Sequence, residues 1–441
     1  MMTTKTNPVS ARVADLMAFL DASVVNFLAA DEICRRLEAA SFRRLDAADS
    51  WGLQPGGKYF TVKNNSAVMA WRMPSATDKS AIPACHIISA HSDSPGFRIK
   101  PKAAIRTEGG VVKLNTEVYG GPILYTWFDR PLSIAGRVIL DSGNVLEPEI
   151  RTVCIRRPLL TIPHLAIHFN RQVNEGNPLS KQKDMLPVIG VVNDALEADN
   201  LLINLVAGEL GVPVEKILDF DLSLFDTTPA CTLGLHNEYI TSGRIDDLSM
   251  AHAAISALID APEESADIRV AAIFDNEETG SGTKQGAASP LLMDTLRRIF
   301  SIQGHSEEDY LRSVARSFMI SADNAHGLHP NYPEKQDPTS HPLLGHGPVI
   351  KINANCKYMT DAESAAIYAG ICKKAGVPVQ YFVNHSDVAG GSTLGNILTS
   401  QINLRGVDMG AALWAMHSVR ETASTADVDY IIDSFIEFFR L

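Results

Sequence analysis

Residues 268–282 read IRVAAIFDNEETGSG, and this segment decides the class of fold that we predict. Its apolar run, residues 270–274, is uninterrupted, which is typical of a strand buried on both faces of a sheet. The run ends in the acidic stretch DNEE at 275–278. Such groups are costly to bury unless something uses them, and ligands bind at the carboxyl ends of strands in open α/β sheets. A ligand site and a solvated acidic turn both fit this segment alone.

The two glutamates of this stretch, Glu277 and Glu278, are adjacent. Neighbouring side chains at a strand exit point in different directions. One carboxylate can therefore hold a metal ion while the other stays available as a base.

Length, charge and cysteine usage narrow the class of protein. A chain of 441 residues predicts two domains. The net charge of -12 argues against a nucleic-acid or anionic-membrane partner, since both need basic surface. Six scattered cysteines without a CxxC pair, no signal-peptide pattern and no bilayer-length apolar run indicate a cytoplasmic protein.

The order of predicted elements indicates an α/β protein with a β-rich insertion. Helical spacing predicts helices over residues 11–28, 30–40, 248–259, 291–302, 361–375 and 428–439, with Asp21 and Asp31 as caps of the first two. Apolar runs predict strands over residues 58–62, 67–73, 85–90, 316–321, 349–353 and 379–383. Short β-type runs at 111–114, 137–140, 153–155 and 159–162 break this alternation, and a helical period at 195–210 follows. We therefore predict a mixed sheet flanked by helices, formed by residues 1–100 and 238–441, with residues 101–237 inserted.

Ligand-type side chains recur where the predicted strands end. They are His91, Asp93, Asp246, Glu277, Glu278, Asp323 and His417. Histidines and carboxylates without cysteine suit zinc or a similar divalent ion, and this number of candidates favours two metals sharing a carboxylate. Such a pair can hold a hydroxide and clamp a tetrahedral intermediate. The residues could also lie at unrelated sites, an HxD pair also fits an exposed strand end, and one aspartate of the Asp246-Asp247 pair would serve as a helix N-cap.

Four further residues are candidates with open alternatives. His164 and His168 are four apart and would form a metal pair on a helix, although packing or hydrogen-bonding roles fit better beside Pro163. His329 follows the Asp323 strand exit and is a candidate for substrate binding. Lys351 lies in a predicted strand, and lysines in edge strands commonly face solvent.

Nine motifs together resemble the aspartyl aminopeptidases, a family of cocatalytic-zinc exopeptidases. They are AHSDSPG (90–96), YGGPILYTWFDRPLSIAGRV (119–138), IPHLAIHFNRQVNEGNP (162–178), SGRIDD (242–247), FDNEETGS (274–281), SFMISADNAHGLHPNYPEK (317–335), GPVIKIN (347–353), GGSTLGNIL (390–398) and AMHSVRE (415–421). The resemblance runs from about residue 16 to the C-terminus.

The resemblance implies a role for each motif residue. It implies two Zn²⁺ per subunit, with Mn²⁺ or Co²⁺ as possible substitutes, and these ligands: His91, a bridging Asp246, Glu278, Asp323 and His417. Asp93 would orient His91, and Glu277 would be the general base toward a hydroxide held by both zinc ions. Lys351 would face the substrate's first side chain and favour Asp or Glu. His168 would reach the active site of a neighbouring subunit.

The family's fold and assembly are implied as well: a zinc-exopeptidase α/β domain, interrupted by an insertion through which subunits associate into dodecamers built from dimers. One segment departs from the family. A Pro-Cys-Gly type step is common there ahead of the Ser/Thr-Thr turn, whereas this chain has VAGG at 388–391.

From the site residues and the nine motifs together, we predict a metallo-aminopeptidase for peptides with N-terminal Asp or Glu. The alternatives are a binuclear aminopeptidase of broad or neutral preference, and a non-catalytic assembly or cargo protein.

Overall fold

The computed structural model describes residues 8–75, 81–192 and 195–441. It divides into two compact units. The first unit comprises the residues up to Asp93, Ala230–Met416 and Glu421–Leu441. The second unit comprises Ser94–Pro229 and His417–Arg420. The role of the predicted insertion in assembly stays a prediction.

The helices begin and end as follows. They are α1 (Ala11–Ala22), α2 (Asn26–Ala39), α3 (Ala195–Leu210), α4 (Ile245–Asp260), α5 (Leu291–Ile302), α6 (Glu307–Arg316), α7 (Ala362–Ala375), α8 (Leu394–Thr399) and α9 (Thr425–Arg440). Among the described residues, no helix is both long enough and apolar enough to cross a bilayer.

The strands have these bounds. They are β1 (Arg43–Arg44), β2 (Lys58–Lys63), β3 (Ala67–Arg72), β4 (Cys85–His91), β5 (Gly96–Arg106), β6 (Val111–Tyr119), β7 (Leu132–Leu140), β8 (Glu149–Cys154), β9 (Val188–Val191), β10 (Ile217–Asp226), β11 (Cys231–Leu233), β12 (Tyr239–Ser242), β13 (Ile268–Phe274), β14 (Phe318–Ala322), β15 (Ala325–His326), β16 (Val349–Ile352), β17 (Gln380–Val383), β18 (Arg405–Gly410), β19 (Ala412–Trp414) and β20 (Glu421–Ser424).

The first unit is built on a mixed sheet, which we call the central sheet. Within the described residues its order is β1-β2-β3-β13-β4-β14-β18-β16-β17. Strands β13, β4, β14 and β18 run parallel, whereas β3 and β16 pair antiparallel with β13 and β18. The predicted mixed α/β sheet flanked by helices is confirmed.

Both faces of the central sheet are covered by apolar side chains from helices. Strand β13 is buried along its whole length, as its uninterrupted apolar run predicts. Ala271 and Ile273 pack on the face covered by α1, α2, α4, α7 and α9. Val270, Ala272 and Phe274 pack on the opposite face, against α5, α6 and α8. This alternation follows from the period of two along a strand.

A smaller sheet with the order β11-β12-β20-β19-β15 completes the first unit, whereas the second unit contains the sheet β8-β7-β10-β5-β6-β9. Each pair in that second sheet is antiparallel. Leu202 and Val206 of α3 pack with Leu114, Ile134 and Leu222 in its core. Buried apolar packing of this kind stabilises the sheet.

The first two helices break at a different place from the one predicted. Helix α1 ends at Ala22, and the backbone N–H of Ser23 closes its last turn by donating to Phe19. Apolar residues continue at helical spacing across this break, so periodicity did not reveal it. The predicted caps are also wrong. Ser10 caps α1 and Val25 precedes α2, while the carboxylate of Asp21 accepts a hydrogen bond from the Ala230 N–H.

The predicted strand over residues 159–162 is also absent from the described structure. The segment forms only isolated bridges, such as Leu132 with Leu160. Pro158 and Pro163 flank it. Because proline cannot donate a ladder hydrogen bond, a regular strand does not extend through either position.

Candidate active site

Three parallel strands of the central sheet bring the predicted residues to one edge. In the order β13-β4-β14, Phe274 pairs with His91 at the end of the β13–β4 ladder, and β14 lies on the other side of β4. The segments that follow β4, β13 and β14 carry Asp93, the 275–278 stretch and Asp323. The sheet order therefore gathers residues that are far apart in the chain.

Two overlapping groups of potential metal ligands lie at this edge. In one, ligand atoms of His91, Asp246, Asp247 and Asp323 all lie within 4.8 Å of one another, and all four residues are buried. In the other, His91 meets Glu277 and Glu278 within the same distance. We call these six residues the His91 cluster. Within it, the Nε2 atom of His91 lies 3.7 Å from Asp246 Oδ1 and 4.0 Å from Glu277 Oε2.

The ring of His91 is oriented by the backbone two residues ahead. Its Nδ1 atom lies 3.0 Å from the carbonyl oxygen of Asp93. A carbonyl can only accept, so Nδ1 carries the hydrogen and Nε2 faces the carboxylates as a potential ligand atom. Burial acts to lower the His91 pKa, but the charges of Asp247, Asp93 and Glu277 outweigh it and raise that pKa well above its ordinary value. A cation at Nε2 would replace the proton that these carboxylates favour.

Asp93 connects the imidazole to the acidic turn. Its Oδ1 accepts a hydrogen bond from the backbone N–H of Glu277, and its Oδ2 accepts one from that of Glu278, both at 3.1 Å. Its Oδ1 also lies 3.3 Å from His91 Nδ1. One carboxylate therefore fixes the positions of the histidine and of both glutamates.

The turn before the two glutamates depends on Asn276. This residue has a left-handed backbone (φ 64°, ψ 26°), a conformation that asparagine tolerates better than most residues. Its Oδ1 accepts hydrogen bonds from Thr283 Oγ1 at 2.8 Å and Gln285 Nε2 at 2.7 Å. The following loop thus holds the turn that presents Glu277 and Glu278.

Neither of the two aspartates at the start of α4 is the N-cap of this helix. Arg244 occupies the N-cap position, and Asp246 and Asp247 have non-helical backbone angles with a cis peptide bond between them. The Asp246 N–H donates to Glu421 Oε2 at 2.9 Å, and Asn324 Nδ2 donates to Asp247 Oδ1 at 3.3 Å. The predicted N-cap role is wrong, and both carboxylates belong to the His91 cluster.

The charges of the His91 cluster fit a divalent cation. The Glu277 pKa is raised to about 8, mainly by burial; Asp323 and Asp246 add to the increase, and His91 opposes it. Burial likewise raises the pKa values of Glu278 and Asp247 well above their ordinary range, and neighbouring carboxylates add to both shifts. Buried carboxylates with one imidazole are the oxygen and nitrogen donors that zinc accepts. The donor set therefore fits zinc, since a dication would supply the missing positive charge.

Lys351 lies inside the central sheet rather than at its edge. Strand β16 lies inside the central sheet, between β18 and β17, so the edge-strand alternative is wrong. Lys351 is only 3% exposed, and its Nζ donates to Asp323 Oδ1 at 3.1 Å. Burial acts to lower the Lys351 pKa, but Asp323, Tyr358 and Asp408 together outweigh burial and raise it. The ammonium is thus engaged with a member of the His91 cluster.

His329 lines a separate cavity of about 240 Å³. Its Nδ1 accepts a hydrogen bond from the Asn331 N–H at 3.2 Å, and its ring lies 5.1 Å from that of Tyr332. Other lining residues include His326 and Trp414. This position is compatible with the predicted role in substrate binding, which stays a prediction.

His168 and His417 belong to the second unit. His168 is exposed in a turn rather than a helix, and His164 packs edge-on against Phe128 at 4.5 Å between ring centroids. The helical metal pair is therefore not formed. The Nδ1 atom of His417 lies 3.1 Å from the Gly121 carbonyl oxygen, so Nδ1 donates and Nε2 remains the possible ligand atom.

Sequence reasoning missed three residues that shape the His91 cluster. Asp247 lies inside it, Asn324 binds Asp247, and Glu421 binds the backbone of Asp246. Each of the three follows a predicted residue in the chain, directly or within a few positions. The Asp-Asp pair at 246–247 was a signal that could have identified Asp247, whereas the contacts of Asn324 and Glu421 depend on the tertiary structure.

Comparison with known proteins identifies the family of this chain. The model of the aminopeptidase I zinc metalloprotease (M18) family matches residues 19–439. A probable M18 family aminopeptidase 2 of Clostridium acetobutylicum is 47% identical over 426 residues, covering 97% of this chain and 98% of its own. A counterpart from Pseudomonas aeruginosa is 40% identical over 426 residues, covering 96% of this chain and 97% of its own.

Solved structures give the same result. Ape4, in its complex with Nbr1, superposes with a TM-score of 0.93 at 33% identity, over 97% of this chain and 85% of that one. The S. cerevisiae mApe1 dodecamer gives a TM-score of 0.84 at 26% identity, over 97% and 95% of the two chains. The family predicted from the motifs is confirmed. The chain belongs to the M18 family of zinc-dependent aminopeptidases.

Proposed function

We propose that this aminopeptidase removes N-terminal Asp or Glu from peptides, with two zinc ions per subunit and Glu277 as general base. The observation that carries the proposal is the His91 cluster, in which buried carboxylates and one oriented imidazole converge at the carboxyl edge of the central sheet. Strand exits are where the ligands of open α/β sheets bind.

The ligands that we propose are His91 through Nε2, Asp246 as the bridging carboxylate, Glu278 and Asp323. His417 is proposed as a ligand on the strength of its motif and of the hydrogen bond that orients its ring. When bound, the metal ions would supply a nucleophile from water and polarise the scissile carbonyl.

Glu277 is the residue that we propose to move the proton. Its side chain is 15% exposed, so a substrate-side water can reach it, and Asp93 holds its backbone. Burial raises its pKa to about 8 in the protein alone, and a neighbouring positive charge would favour its ionised form. The carboxylate would accept a proton from the attacking water and return it to the leaving amine.

The preference for acidic residues has mixed support. The motif around Lys351 favours it, and cationic or imidazole side chains such as Lys335 and His329 line the 240 Å³ cavity. However, Lys351 already binds Asp323, and Phe382 and Trp414 give the same cavity apolar walls. These observations favour, as second candidate, a binuclear aminopeptidase of broad or neutral preference. The non-catalytic alternative is disfavoured because the proposed ligands and base are all present.

We also propose self-association into a dodecamer built from dimers, with the second unit forming subunit contacts and His168 reaching a neighbouring active site. Its support is the likeness to the S. cerevisiae mApe1 dodecamer. The absence of a CxxC pair supports a cytoplasmic location.

Hydrolysis of peptides with N-terminal Asp, Glu, Leu or Lys tests the proposal, with metal content measured by elemental analysis. We expect Asp or Glu to be cleaved fastest, about two zinc ions per subunit and loss of activity with a chelator. Faster cleavage of Leu or Lys than of both acids would replace the acidic preference with the broad one. Full activity in a metal-free sample would exclude the metal mechanism.

A further inference from the structure

A cavity of about 290 Å³ lies in the first unit, and none of its lining residues belongs to the His91 cluster. It is bounded by β2 and β3, by the loop before α5 and by the first turns of α5. Trp51, Met69 and Leu291 contribute apolar surface, and the ring of Trp51 lies 5.3 Å from that of Trp71 in the core. The volume is near the lower limit for sites that bind small molecules.

Positive charge dominates the lining of this cavity. Lys63, Lys284 and Arg298 line it, against the single carboxylate of Asp294. Arg298 is held in place, since its guanidinium lies 3.8 Å over the Trp51 ring and donates to the Ala47 carbonyl at 2.7 Å. In the part of the chain that the structure describes, neither lysine forms an ion pair.

A threonine at the wall of the cavity provides a second, independent observation. Thr61 is 6% exposed and lines the cavity. Thr61 lies two positions from both Tyr59 and Lys63 along β2, so these three side chains share one face of the strand. Among the described residues its hydroxyl has no hydrogen-bond partner. A hydroxyl without a protein partner at the wall of a cavity is available to donate a hydrogen bond to a ligand or to water.

From these observations we propose that the cavity binds a small organic anion with a flat apolar body. Its negative group lies between Lys63 and Lys284 and accepts a hydrogen bond from the Thr61 hydroxyl. Its apolar body lies against Met69 and Leu291, where Arg298 is available to stack on a flat ring. A cation is disfavoured by three like charges, and a bare inorganic anion would leave the apolar walls uncovered.

Three probes with the same ring and different charge test the proposal on the metal-loaded, full-length protein. They are indole-3-acetate, its neutral amide and tryptamine, with binding followed by calorimetry. We expect indole-3-acetate to bind with a Kd on the order of 1 mM, the amide to bind at least about threefold more weakly and tryptamine not at all.

Substitutions of exposed lysines then locate the site. Lys63→Gln and Lys284→Gln should each weaken indole-3-acetate binding by about three- to tenfold, since each removes one charged partner. Lys374→Gln, at an exposed position on α7, is the matched control and should leave binding unchanged. Thr61→Val removes the hydroxyl at similar volume and should weaken binding by about threefold.

Three results would overturn the proposal. One is no binding of indole-3-acetate, and another is equal affinity for tryptamine. The third is wild-type affinity in both lysine variants, which would place the probe elsewhere, including on the metal ions.

Discussion

The two ends of the central sheet both bury like charges, but the nearby chain supplies acceptors for the charged groups at one end and little opposite charge at the other. At the amino end of β13, Arg269 lies directly opposite Arg72 of β3, and both are at most 1% exposed. Arg72 donates to the Ala261 carbonyl and forms an ion pair with Glu263 at 2.7 Å, and Arg269 donates to the Pro262 carbonyl. These acceptors lie just after the end of α4, where the helix dipole also favours positive charge.

At the carboxyl end of the central sheet, the buried charges are negative, and the chain supplies fewer positive charges than negative ones. The His91 cluster holds five carboxylates against one imidazole and the ammonium of Lys351, and burial with mutual repulsion raises the pKa of several of them. Burial together with the charge of Arg72 lowers the Arg269 pKa to about 10, so that group stays charged at neutral pH. Both guanidiniums have backbone acceptors and remain charged, whereas the carboxylates of the His91 cluster are in part kept protonated, so the carboxyl end is the one that a bound cation would stabilise.

The largest expected effect is at the proposed base. Glu277→Gln keeps the shape of the side chain but removes its ability to accept a proton. We expect kcat to fall by about 10²–10⁴-fold, the usual contribution of general base catalysis, with zinc content unchanged. Glu263→Gln, the same change at the amino end, is the control and should keep full activity. A Glu277→Gln enzyme within tenfold of wild type would remove Glu277 as the base.

A smaller loss of activity is expected when the carboxylates of the His91 cluster are kept but Glu277 and Glu278 are no longer held in position. In Asp93→Asn, one of the two backbone N–H groups of Glu277 and Glu278 would face an amide NH₂ instead of an acceptor. We expect kcat/KM or zinc affinity to fall by about 10- to 100-fold, as for other groups that orient ligands. Kinetics and elemental analysis measure the two effects. Unchanged values for both would show that Asp93 does not position the cluster.

Removing the metal should make stability depend on pH. The Glu277 pKa of about 8 lies above its ordinary value, so between these two values the folded, metal-free protein holds a proton that the unfolded chain has lost. Its free energy of unfolding should therefore fall as pH rises from about 5 to 8, by about 1 kcal/mol per pH unit for each such group. His91, whose pKa is also raised, acts in the same direction.

Urea unfolding of chelated and zinc-loaded protein at several pH values measures this dependence. The zinc-loaded protein should show a much flatter profile, because the bound charge balances the carboxylates. Equal slopes for both samples would mean that the acidic end is balanced without metal.

The smallest effect is expected at the amino end. Arg72→Met removes a donor from the buried Ala261 carbonyl and should destabilise the fold by about 1–3 kcal/mol without changing kcat. Glu263→Gln should cost less than about 1 kcal/mol, because that carboxylate is 74% exposed. Chemical denaturation measures both. A loss of activity in the folded Arg72 variant would mean that the two ends are not independent.

Local signals predicted many elements of the first unit well. Helix α7 has Asp361 as its N-cap and a left-handed Gly376 after its last residue, and the predicted helix covers the same segment. Helix α5 has the predicted bounds of residues 291–302. Boundaries failed where the local signal continued across a break, as between α1 and α2, because apolar spacing does not register a change of chain direction.

The sequence by itself determined which donors this protein has and that they follow apolar strands, since ligand chemistry and strand periodicity are local properties. Only the tertiary structure decided which of them meet. The pairing of β4 with β13 and β14 brings His91 together with residues up to Asp323, although more than two hundred positions separate them. Pairing between distant strands leaves no local pattern, so the inclusion of Asp247 and the binding of Lys351 to Asp323 became visible only in the fold.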